Sequence, residues 1–73
     1  MSSFTMARSI LCDERLVLAS AHETLSTALD HDDLPGGARA DFVSAVHFLG
    51  LTIGDLDSVL STLEAAIKKV SHA

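Results

Sequence analysis

Four histidines and one dense acidic cluster are the residues of this sequence that could do chemistry by holding a metal ion. The cluster is Asp30-His31-Asp32-Asp33, and the remaining histidines are His22, His47 and His72. Zinc sites on helices use regular spacings such as His-x3-His, and a calcium loop needs a longer ligand pattern that ends in Glu. Neither pattern occurs, so we predict a solvated acidic turn and surface histidines, with no metal ion and no cofactor.

Acid–base or nucleophilic catalysis would have to use Cys12, the pair His22-Glu23, or Asp41 with His47. Nothing in the sequence brings these groups into a cleft, and a two-helix chain has little room for one. Cys12 also lacks any motif that marks an activated nucleophile. We therefore predict that the protein is not an enzyme and that Cys12 is a partly buried structural thiol.

One long series of apolar residues, called the seam here, predicts the main structural element. Its members alternate at spacings of four and three, a 3.5-residue period that needs a facing helix. The seam has Val46, Ile53, Leu60 and Ile67 at heptad position a, and Phe42, Leu49, Leu56, Leu63 and Val70 at position d. The flanking positions are Val43, Gly50, Asp57 and Glu64 at e, and Ala45, Thr52, Val59 and Ala66 at g. The small apolar g positions indicate a broad buried face, which is typical of bundle packing.

A second helix is predicted before the seam, with a short turn between them. The first helix runs from about residue 5 to 30, the turn covers 31–36, and the second helix runs from about 37 to 71. Leu11, Leu18 and Leu25 recur every seven residues in the first helix, and Glu14 marks where this stripe meets solvent. In the turn, Pro favours a first helical position and Gly a special turn conformation. The sequence thus predicts an all-α, antiparallel helical hairpin that forms a single domain over residues 1–73.

The segment Gly50–Gly54 is the weak point of the second helix. Two glycines in a helix interior cost about 1 kcal/mol each relative to alanine, and Thr52 followed by Asp55 also fits an N-cap. We favour a continuous helix because the seam passes through this segment without a change of phase. The alternative is a three-helix bundle that is broken at Gly50–Gly54.

Composition limits the partners that the chain can have. A chain of 73 residues with one cysteine cannot form an intrachain disulfide, so oligomerisation is the expected way to stabilise its small core. The net charge of −5 disfavours nucleic acid and anionic membrane surfaces. The longest stretch without a charged residue, Phe42 to Gly54, is too short to cross a bilayer, and the first residues do not resemble a secretory signal. We expect a cytoplasmic protein.

These features predict a non-catalytic protein-interaction protein of a regulatory or adaptor type. We expect a homodimer that closes into a four-helix bundle through the seam residues Leu49, Ile53, Leu56, Leu60, Leu63 and Ile67. Phe48 and Leu51 point away from the seam and could form a second contact surface with Leu16 for a protein partner. One alternative is a small chaperone or anti-activator whose groove binds an amphipathic helix of a larger protein. Another is a metal- or cofactor-binding helical protein.

A resemblance to known proteins rests on two short stretches. Ala21-His22-Glu23-Thr24-Leu25-Ser26, followed by Arg39, Val43, Ala45-Val46 and Leu49, is similar to small, uncharacterised bacterial helical-hairpin proteins of the pseudomonad type. The resemblance covers roughly Leu18 to Leu60. It implies an acidic two-helix fold and carries no site residues.

Overall fold

The structure, a computed structural model, describes residues 3–31 and 33–71 and consists of two α-helices. Helix α1 spans Ser3–His31 and helix α2 spans Gly36–Ser71. The predicted all-α helical hairpin is therefore confirmed, with each helix end within two residues of its predicted position. Within the described residues, the only structure other than helix is the short connection at residues 33–35.

Helix α2 is continuous through its two interior glycines, so the alternative of a break at Gly50–Gly54 is wrong. Its 36 residues span about 54 Å at 1.5 Å per residue, which matches the 56 Å long axis of the molecule. The hydroxyl of Thr52 donates a hydrogen bond to the carbonyl oxygen of Phe48 at 2.9 Å. This bond is made within a continuing helix, whereas an N-cap side chain would accept from backbone N–H groups that follow it.

Hydrogen bonds of Pro35 and Arg39 connect the two helices at the turn. The carbonyl oxygen of Pro35 accepts the first backbone hydrogen bond of α2, from the N–H of Arg39 at 3.0 Å. The predicted special conformation of the turn glycines is wrong: among the described residues no glycine has a positive φ, and Gly36 and Gly37 are the first residues of α2. Nη1 of Arg39 also donates to the carbonyl oxygen of Leu29 at 3.0 Å. A cation thereby donates to a carbonyl in the last turn of α1, at the negative end of the helix dipole.

The two helices lie antiparallel in a simple register. Arg8 forms an ion pair with Glu64, Arg15 forms one with Asp57, and a Cβ at Gly50 would lie 3.8 Å from Nε2 of His22. Each of these contacts joins residue n of α1 to residue 72 − n of α2. The molecule is therefore a rod of 56 × 16 × 15 Å, with the turn at one end and Ser3 of α1 and Ser71 of α2 at the other.

Helix α2 is, by length and composition alone, long and apolar enough to cross a bilayer. The expectation of no membrane contact rests on the charged residues within α2 and on the net charge of the chain, and it stays a prediction.

Candidate functional site

The seam is the half-buried side of α2. Its members from Phe42 to Ile67 are all half-buried, and Val70 near the end of the helix is exposed. Helix α1 is the element that packs against α2 in the described part of the chain. The six residues predicted to mediate self-association all belong to this half-buried set, and their role between two copies stays a prediction. They are Leu49, Ile53, Leu56, Leu60, Leu63 and Ile67.

No described residue of the hairpin is fully buried. The accessible surface is 5274 Å², whereas a compact monomer of 7.7 kDa exposes about 4300 Å² by the usual scaling of surface with mass. The difference of roughly 900 Å² is close to the ~800 Å² that one partner buries in a standard protein interface. A single hairpin thus leaves about one interface's worth of surface uncovered.

One side of the seam is closed by charged residues, and we call it the charged flank. It consists of Arg8, Arg15 and His22 of α1 and of Gly50, Asp57 and Glu64 of α2. Nε and Nη2 of Arg15 donate to the two carboxylate oxygens of Asp57, the second bond at 3.2 Å. Nε of Arg8 lies 3.8 Å from Oε1 of Glu64. Both pairs match the register of the two helices, and the bidentate fork between Arg15 and Asp57 is geometrically specific.

The ion pair between Arg15 and Asp57 changes the acidity of both groups. The hydrogen bond from Arg15, helped by its positive charge, lowers the pKa of Asp57 from its ordinary value. The same hydrogen bond and the charge of Asp57 raise the pKa of Arg15. Both groups are therefore charged throughout the neutral range.

The opposite side of the seam carries no such closure, and we call it the open flank. On α1, Ile10, Val17 and Thr24 each follow a residue of the charged flank by two positions, which places them about 200° further round the helix. On α2, position g lies across the seam from position e. The open flank comprises Ile10, Val17, Ala21 and Thr24 of α1 and Ala45, Thr52, Val59 and Ala66 of α2. Val17 is 64% exposed and Val59 46% exposed. The open flank is therefore lined mainly by small and apolar residues, much of it faces solvent, and the exposed Glu14 is the charged residue that lies beside it on α1.

A shallow groove runs along α1 at the open flank. It is open to solvent, and all its lining residues belong to α1: Leu16, Val17, Ser20, Ala21, Thr24 and Leu25. The predicted partner residue Leu16 lies at one edge of this groove and is exposed. The groove is therefore mainly apolar and lies on one face of α1.

Phe48 and Leu51, the other two predicted partner residues, lie on α2. Both side chains are exposed, and the ring of Phe48 packs edge-on against His47 with ring centroids 5.7 Å apart. They are three residues apart and share one surface of α2, while Leu16 lies on α1. The structure places the three residues on two different helices, and their binding of a partner stays a prediction.

The histidines and Cys12 are spread along the rod. Within residues 3–31 and 33–71, no three His, Cys, Asp or Glu side chains come close enough together to hold a metal ion. His22 lies beside Gly50, His31 ends α1, and Cys12 is a half-buried free thiol. Asp32 and His72, which were part of the metal hypothesis, lie outside the described residues.

The charged flank is the feature that the sequence reasoning missed. Arg8, Arg15 and His22 are spaced by seven in α1, and Gly50, Asp57 and Glu64 are spaced by seven in α2. In an antiparallel hairpin these two series must meet in reverse order, with Arg opposite acid twice. The matching of basic and acidic heptads was a signal that could have predicted both the pairs and the register.

The fold and these surfaces define the chain only as an all-α helical hairpin with one charged and one open flank. Comparison with protein-family models, with curated proteins and with solved structures finds no match to this chain.

Proposed function

We propose that this chain is a non-catalytic, cytoplasmic protein-interaction protein of a regulatory or adaptor type, which self-associates into a four-helix bundle. The observation that carries the proposal is the incomplete core: no described residue is fully buried, although the seam is continuous and apolar. A second hairpin packed on the first would bury both apolar layers together. Two-helix chains commonly complete their cores in this way.

The amount of uncovered surface supports a partner as large as the hairpin itself. An excess of roughly 900 Å² over a compact monomer corresponds to one side of a standard interface. At about 25 cal/mol per Å² of apolar surface, burial on this scale is large compared with the marginal stability of a small domain. Self-association is therefore expected to stabilise the fold as well as to determine the function.

The test is the absolute mass by light scattering after size exclusion, over a hundredfold dilution series, with helicity measured by circular dichroism at each step. We expect a mass of two chains at high concentration and a loss of helicity as the dimer dissociates, because dimer stability depends on protomer concentration. A fully helical monomer at every concentration would refute the proposal.

A seam variant tests whether folding and association are coupled. Leu60→Asp places an unpaired charge in the middle of the seam, which is costly in an apolar interface, and we expect this variant to dissociate and unfold together. The matched control is Ser61→Asp, one residue further along α2 at an exposed position, which should keep the mass and helicity of the wild type. A soluble, fully helical Leu60→Asp monomer would contradict the seam assignment.

The groove on α1 supports a second candidate function, that of a module which binds an amphipathic helix of a larger protein. Its apolar lining by Val17, Ala21 and Leu25 suits the helix-in-groove mode of recognition. This candidate predicts a chain that is poorly helical alone and gains helicity with its partner. A stable homodimer at low micromolar concentration would favour the first proposal over this one.

A further inference from the structure

We infer that the surface covering the open flank is the open flank of a second copy, docked with the two turns at opposite ends of the bundle. This inference rests on the proposed self-association and adds the contact face and the orientation of the subunits. Two two-fold arrangements bring the open flanks together. In one, the turns lie at the same end; in the other, they lie at opposite ends.

The choice of the open flank follows from its chemistry compared with that of the charged flank. The charged flank already uses Arg8 and Arg15 to pair with Glu64 and Asp57 within one hairpin. Covering it would remove water from these ion pairs, and desolvation of paired charges is costly. The open flank carries one charged side chain, Glu14, beside otherwise uncharged residues, so a chain with a net charge of −5 opposes few like charges when it buries this flank against itself.

The distribution of charge along the rod favours turns at opposite ends. Residues 20–52, the half of the hairpin next to the turn, contain five acidic residues and one basic residue, so this half carries −4 of the net charge of −5. The other half ends with Lys68 and Lys69 in the last turn of α2. When the two turns lie at opposite ends of the bundle, these lysines lie beside Asp33 and Asp41 of the second copy, and the acidic halves of the two copies are far apart. With the turns at the same end, the acidic halves would lie within about one Debye length, roughly 8 Å at physiological salt.

The sizes of the residues on the open flank favour the same orientation. Val17 is the middle residue of α1. The bulky Ile10 and Val59 lie in the half of the hairpin away from the turn. The smaller Thr24 and Ala45 lie in the half next to the turn. With the turns at opposite ends and the copies fully overlapped, Val17 meets Val17 of the second copy at the centre, while Ile10 and Val59 each face smaller residues of the second copy, and large and small side chains in alternation interdigitate best. With the turns at the same end, Ile10 would face Val59.

One charged side chain, Glu14, lies between Ile10 and Val17 on this side of α1 and is exposed. In the inferred orientation it faces the segment of the second copy around Ala21 and Thr24. With the turns at the same end, Glu14 would lie near Asp55 of the second copy, and the two like charges would repel each other. Glu14 therefore also favours turns at opposite ends.

The orientation is tested by pulsed electron paramagnetic resonance on the full chain with Cys12→Ser and Lys69→Cys, spin-labelled at the single cysteine. Turns at opposite ends place the two labels more than about 40 Å apart, from the axial rise per residue, whereas turns at the same end place them within the width of the bundle, below about 30 Å. Dilution with unlabelled protein, which removes the signal between copies, is the control. A dimer with the short distance would overturn the orientation and leave the proposed self-association standing.

The face is tested by two matched variants, Val59→Asp and Val43→Asp. Both valines lie on α2 with similar exposure, 46% and 53%, but Val59 is on the open flank and Val43 is at position e. We expect Val59→Asp to raise the dimer dissociation constant at least about 100-fold, since two unpaired charges would be buried per dimer, and Val43→Asp to change it less than about threefold.

The possible results separate the failure of this inference from the failure of the proposed function. If Val43→Asp dissociates the dimer and Val59→Asp does not, the face is wrong while self-association stands. If Val59→Asp unfolds on dissociation, the label distance in the otherwise wild-type dimer still decides the orientation. A wild-type chain that stays monomeric, or that floats with phosphatidylcholine vesicles as a monomer, would overturn both proposals.

Discussion

Gly54→Ala is the perturbation for which the structure predicts the sign and the size most directly. Gly54 is exposed in the interior of α2, and a Cβ added there meets nothing within 4 Å. No described glycine has a positive φ, so alanine fits the backbone without strain. The substitution should therefore gain the full difference in helix propensity, about 1 kcal/mol. For a domain of this size that corresponds to a rise in melting temperature of about 4–8 °C.

Two further variants make the experiment specific. Gly50→Ala brings its Cβ to 3.8 Å from Nε2 of His22, which is ordinary van der Waals contact, so a similar gain is expected and the double variant should approach about 2 kcal/mol. Gly37→Ala also meets nothing within 4 Å, but it lies in the first turn of α2. Helix propensity counts for less in a first turn than in a helix interior, so Gly37→Ala is the matched control with the smaller gain.

The assay is thermal unfolding followed by circular dichroism at one fixed protomer concentration, because the stability of an oligomer depends on concentration. A loss of stability on Gly54→Ala would refute the reasoning. It would mean that another surface approaches the backbone at Gly54, and hence that the glycine-bearing side of α2, rather than the open flank, is the covered one.

Three other predictions follow from contacts of single side chains. Arg39→Gln should lower the free energy of unfolding by about 1 kcal/mol, measured by urea denaturation, because the carbonyl of Leu29 loses its charged donor; Arg39→Lys should recover part of this loss. The lowered pKa of Asp57 means that its pair with Arg15 stabilises the fold above the ordinary Asp value of about 3.9 and that this contribution is lost as the pH falls through the lowered pKa. The melting temperatures of wild type and Asp57→Asn should therefore converge below about pH 4, and a constant difference down to pH 2 would contradict this assignment. Phe48→Ser should leave the melting temperature within about 2 °C of the wild type, since its ring is exposed, whereas a large loss would place Phe48 in a buried interface.

The helical hairpin could be predicted from sequence because one strong pattern determines it. The unbroken spacing from Phe42 to Val70 required one long helix, and only a short connection separated it from the first stripe. That pattern also gave the right result at Gly50–Gly54, where propensity alone argued for a break. The half-buried seam in the structure outweighs the cost of two glycines, because packing of an apolar face contributes more than intrinsic propensity does.

The details that could not be predicted depend on which residues of the two helices meet. The seam specifies a facing helix but not its register, and the ion pairs of Arg8 and Arg15 with Glu64 and Asp57 follow from register. The turn glycines were assigned a special conformation from their residue type. In the structure, Pro35 supplies the first acceptor carbonyl of α2, so Gly36 can begin the helix with an ordinary φ. Local residue preferences are overridden where a neighbour already satisfies the backbone.

The register of the hairpin also determines the order in which its contacts can form during folding. Contacts near the turn join residues that are close in sequence: Arg39 and Leu29 are separated by 10 positions, while Arg15 and Asp57 are separated by 42. Each doubling of a loop adds about 0.6 kcal/mol of closure entropy, so the hairpin should nucleate at the turn and close progressively towards the chain ends. Amide hydrogen exchange should then be slowest near the turn and fastest near residues 8 and 64. The last residues to become ordered are also those next to Lys68 and Lys69, which would meet the acidic turn of a second copy.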